Sequence, residues 1–73
     1  MFYRNPRRGE IYWIERFNDG TVLGTPPLTA NAMTHLVNDL FSIHPDVRYN
    51  DSFVRELEPV TREQFERIVL LGR

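Results

Sequence analysis

The residues of this chain that could carry acid, base or ligand chemistry are few. Histidine occurs twice, at His35 and His44, and cysteine not at all. A thiol nucleophile, a thiolate metal site and a disulfide framework are therefore closed to it. His35 and Asp39 stand four residues apart, a spacing at which a helix brings two side chains together and a carboxylate can orient an imidazole for proton transfer. No nucleophile accompanies them, because Thr34 points about 100° away around the same helix, so the two read as a surface pair. His44 precedes Pro45 and reads as a helix-end residue that favours the dipole. No HExxH or similar spacing joins His35, Asp39 and His44 into a metal site. Glu56, Glu58, Glu63 and Glu66 offer paired acids around Pro59. Arg55, Arg62 and Arg67 are interleaved with them, and Glu63 with Arg67 and Arg62 with Glu66 fall at i, i+4, the spacing of ordinary helical ion pairs. Gly20-x-x-x-Gly24 lacks the Lys-Ser/Thr that a phosphate-cradling loop requires. The expectation is a non-enzymatic chain, with no catalytic, cofactor-binding or metal-ligating residue and no small-molecule cofactor.

The chemistry of contact is better represented. All 9 basic residues are arginine, and Arg4, Arg7 and Arg8 share the first nine positions with Phe2 and Tyr3 and with no acid. Guanidinium groups beside rings can hold phosphates and stack on bases. Against nucleic acid stands the balance of 9 cations to 10 acids, a net charge of −1 where nucleic-acid domains carry a basic excess. Arginine, tyrosine and tryptophan also dominate protein interfaces. Tyr3, Arg4, Arg7, Arg8, Tyr12 and Trp13 cluster in sequence and form the first candidate partner surface. The polar helix face of Asn31, His35, Asn38 and Asp39 forms the second.

These residues need elements to position them. Residues 1–9, with Pro6 and Gly9, read as a basic aromatic arm outside regular structure, and 10–73 as a single domain. Ile11 to Phe17 is rich in β-formers, with Ile11, Trp13 and Phe17 on one parity and Tyr12 and Ile14 on the other. Asn18-Asp19-Gly20 then turns the chain into Thr21-Val22-Leu23, so 10–23 reads as a hairpin. Gly24-Thr25-Pro26-Pro27-Leu28 is a connector, since prolines remove donors and force extended geometry on their predecessors. Thr29 caps a helix over 30–42 whose apolar stripe is Met33, Leu36, Val37, Leu40 and Phe41, opposite Asn31, His35, Asn38, Asp39 and Ser42. Val47-Arg48-Tyr49 and Ser52 to Leu57 flank Asn50-Asp51, which reads either as a hairpin turn or as a bulge in one strand. Thr61-Arg62-Glu63-Gln64 is a capping box, with Val60 and Phe65 at the staple positions. A helix over 62–71 follows, buried through Phe65, Ile68 and Val69 and ended by Gly72.

The sum is an α+β domain of 73 residues, with a three- or four-stranded antiparallel sheet in the order β-β-α-β(β)-α. One amphipathic helix packs on the sheet and a short C-terminal helix completes the core. Large apolar residues on both parities of 11–17 put bulky side chains on the sheet face away from the main helix, to be covered by the C-terminal helix, by the arm or by another chain; left uncovered, that aromatic face is a binding surface. No stretch of about 20 apolar residues exists to span a membrane, and the first residues lack the apolar run of a secretory signal, so the expected place is the cytoplasm.

Arg8-Gly9-Glu10-Ile11-Tyr12-Trp13-Ile14 resembles the first strand of the PemK-type toxin endoribonucleases, over about a tenth of the chain. The resemblance implies an RNase-like fragment, but the family's catalytic arginine follows on a later strand and no arginine occurs from Asn18 to Leu28, so no catalytic residue transfers. The readings in order are a binding module that acts on another protein or on a second copy of itself, as a regulator or inhibitor of the kind phages and mobile elements encode; a nucleic-acid binder using the arm and the sheet; and the toxin-like fragment.

Overall fold

The structure, a computed structural model, describes residues 1–39 and 43–71. It is an α+β domain built on a five-stranded antiparallel sheet with three helices. The elements run β1 Phe2–Arg4, β2 Ile11–Arg16, β3 Val22–Gly24, α1 Ala30–Asn38, β4 Val47–Arg48, α2 Asp51–Arg55, β5 Glu58–Val60 and α3 Arg62–Leu71, and the strand order is β4-β3-β2-β1-β5.

The hairpin forms as the sequence reads. Ile14, Glu15 and Arg16 face Gly24, Leu23 and Val22, and Gly20 takes the positive φ of 88° that the turn requires. Asp19 Oδ1 accepts from the Thr21 amide at 2.9 Å, the local bond that suits aspartate to such turns. The arm expected over 1–9 is instead a strand and a turn. Phe2, Tyr3 and Arg4 pair with Trp13, Tyr12 and Ile11. Pro6 and Gly9 mark the reversal between β1 and β2, where Gly9 has φ 71° and donates to the Asn5 carbonyl at 2.7 Å. Three residues are too short a run for periodicity to declare, and burial of Phe2 holds the strand in place.

A second correction falls in 47–57, which is neither a hairpin nor one bulged strand. Val47–Arg48 pairs with β3, Asn50 stands at the N-cap position of a short helix over Asp51–Arg55 without a side-chain capping bond, and Glu58–Val60 adds to β1. Phe53, Val54 and Leu57 follow the helical spacing i, i+1, i+4 and pack together against the sheet. The two helices expected are present. The Thr29 hydroxyl accepts from the Ala32 amide at 3.1 Å to cap α1, and the described helix ends at the Asp39 cap, so His44 lies beyond it outside any helix. In α3 the capping box closes in both directions, Thr61 N–H to Gln64 Oε1 at 2.9 Å and Gln64 N–H to Thr61 Oγ1 at 3.1 Å. The stripe positions Leu40 and Phe41, the polar position Ser42 and the Gly72 cap lie outside the described residues.

Strand alternation sorts the core into two layers. Phe2, Ile11 and half-buried Trp13 face α1 and α3, where Leu36, Phe65 and Val69 meet them. Tyr12, Ile14 and Val22 face the other way and are covered by Val54 and Leu57 of the α2 region, with Tyr3, Tyr49 and Phe53 around them. The cover on the outer sheet face thus comes from the α2 region of the same chain, not from the C-terminal helix, which packs on the α1 side, nor from an arm or a second chain, so no aromatic sheet face is left open for binding. Between the layers Gly24 sits so close to β2 that a Cβ there would stand 2.6 Å from both the Trp13 carbonyl oxygen and Ile14 Cδ1. Backbone cannot give way as a side chain tip can. Gly24→Ala is expected to lower stability by about 1–3 kcal/mol, read as a lower urea midpoint; an unchanged midpoint would contradict this close packing.

Candidate interaction surface

The six residues of the first candidate surface do not form one surface. Tyr3 and Tyr12 are cross-strand partners on the α2 face, whereas Trp13 lies with Phe2 on the opposite face. Tyr12 is only 4% exposed, and its hydroxyl donates to Glu10 Oε1 at 3.3 Å. Burial pushes the Tyr12 hydroxyl upward, as it does that of Tyr49, which donates to the Thr25 carbonyl at 2.5 Å. These rings are core, and direct contact of Tyr12 with a partner is ruled out by the side chains that cover it. Trp13 is half-buried, edge-on to Phe2 at 4.8 Å, and its indole N–H donates to Glu15 Oε1 at 3.1 Å. Arg7 and Arg8 are exposed in the β1–β2 turn, where Arg8 meets Glu10 at 3.6 Å, and half-buried Arg4 meets Glu58 at 3.5 Å. The segment Arg8–Ile14 that carries the toxin resemblance is this turn and the first part of β2.

The second candidate set is placed as expected. Asn31, His35, Asn38 and Asp39 are all exposed on α1 and its cap. Asn38 donates through Nδ2 to the Thr34 carbonyl at 3.3 Å, and the Asp39 amide to the His35 carbonyl at 3.0 Å. The helical ion pairs also form, Arg62 to Glu66 at 3.0 Å and Arg67 to Glu63 at 3.6 Å. Among the described residues no group of three or more His, Asp or Glu is placed to hold a metal ion, and no helix is long and apolar enough to cross a membrane.

A surface that the sequence reading missed lies where α3 crosses the end of the sheet. Leu70 is 74% exposed and Leu71 79%. A groove of about 570 Å³ runs between β5 and α3, its apolar lining Pro59, Val60, Ile68 and Leu71 and its charged lining Arg4, Glu58 and Arg67. Leu71 also borders a second, smaller apolar depression of about 410 Å³ lined by Leu70, Glu63, Glu66 and Arg67. Helix geometry accounts for the exposure. Phe65 and Val69, four apart, point into the core, and at 100° per residue Leu70 and Leu71 are carried progressively round toward solvent. The run Ile68-Val69-Leu70-Leu71 held the signal, since four consecutive apolar residues exceed what one helical stripe can bury.

The neighbouring sheet edge is closed to strand addition. Met1 and Ile14 exchange two backbone hydrogen bonds, at 3.1 and 2.9 Å. Ladder bonds alternate along an antiparallel pair, so Tyr3 also faces β2, and Phe2 and Arg4 turn their amides toward Val60 and Glu58. Pro59 is left at the outward position of β5, and proline has no N–H to offer. No protein-family model matches the chain, and neither a curated protein nor a solved structure matches it.

A separate polar cluster ties α2 to the sheet. Asp51 pairs with Arg16 of β2 and, at 2.8 Å, with Arg55 one turn on. The Arg16 hydrogen bond, with Arg16 and Arg55 charge, holds the Asp51 carboxyl below its ordinary value of 3.8. A depressed carboxylate stabilises the fold fully above the unfolded value, and that contribution is lost as the pH falls through the folded one. Asp51→Asn is therefore expected to lower Tm at neutral pH, with the difference from wild type closing below pH 3.8. Melting curves across acid pH check this, and a difference that persisted or grew in acid would contradict it.

Proposed function

We propose that the chain is a non-enzymatic binding module working in the cytoplasm by protein–protein contact, as a small regulator or inhibitor or through self-association. Its contact surface in this reading is the end of α3 with the groove beside β5. The observation that carries the reading is the exposure of two adjacent leucines, at 74% and 79%, the second of which lines an apolar groove. Scattered single leucines on a surface need no explanation, but a continuous apolar patch with a polar rim marks a contact site. Arg4 stays in the contact surface as a groove residue, while Trp13 packs against the core layer under α3 and Tyr12 against the layer under α2. Two of the three arginines that suggested phosphate contacts are turned to carboxylates, Arg4 to Glu58 and Arg8 to Glu10. That engagement supports protein over nucleic acid as the partner.

Affinity capture from extracts of the source cells tests the reading. Immobilised wild-type chain is expected to retain proteins, this chain included, that a Leu70→Asp, Leu71→Asp double variant loses, while Arg7→Ala with Arg8→Ala retains them. Retention that ignored the leucines, accompanied by salt-steep binding of random oligonucleotides lost with Arg7 and Arg8, would replace it with nucleic-acid binding.

A further inference from the structure

We draw no further inference here: the strongest candidate, the apolar groove between β5 and α3 that Leu71 lines, belongs to the contact surface already described, and nothing in the structure shows what covers it.

Discussion

The fold turns on one contact between its two ends. Phe2 of β1 stacks on Phe65 of α3 with ring centroids 3.9 Å apart and planes 4° from parallel, and meets Trp13 of β2 edge-on at 4.8 Å. Phe2 and Phe65 are 3% and 1% exposed. In so short a chain a buried aromatic pair is a large share of the apolar area available, so this stack decides where the C-terminal helix can lie. Once Phe65 is fixed, Val69 follows it into the core, and Arg62 reaches the Val37 carbonyl at 3.0 Å to join α3 to α1. The direction of α3 is then settled, and with it the exposure of its last turn.

The legible part of the sequence was the part written in local rules. Asn18-Asp19-Gly20 announces a turn because glycine alone accepts its backbone geometry, and Thr61 to Gln64 announces a helix start because two side chains answer two amides. Thr29 does the same for α1. What local rules did not reveal was set by distant partners. β1 is three residues long and exists because β2 and β5 flank it. In α2, Asn50-Asp51 offers turn chemistry that hairpins and helix starts share, and only the docking of Val54 and Leu57 under Tyr12 selects the helix. The alternation of bulky residues on β2 was read correctly as a demand for cover on both faces, but the supply came from a helix that the spacing of 47–57 had disguised as strand.

The candidate surface was hidden for the same reason. Aromatic residues and arginines drew attention to the first thirteen positions, yet the inward half of β1 and β2 is what a central strand looks like from its sequence. Tyr3, Tyr12 and Trp13 are rich in interface chemistry and are consumed by the interior. The outward leucines of α3 sit in a run that reads as core until the helix phase is counted. With Phe65 and Val69 on the core side, Leu70 and Leu71 have no room in the same stripe.

Both ends of the sheet are blunted, and this shapes what the surface can bind. A free strand edge would add any extended chain through its backbone, with little regard for side chains. Pro59 removes the outward donor on one side, and the two-residue β4 shortens the other. What the α3 end offers is instead an apolar surface bordered by charged side chains. Burying a leucine side chain is worth about 1.5–3 kcal/mol, and association costs roughly 4–15 kcal/mol in lost freedom. Two leucines fall short of most of that range, so any occupant of this face would have to bring apolar area of its own.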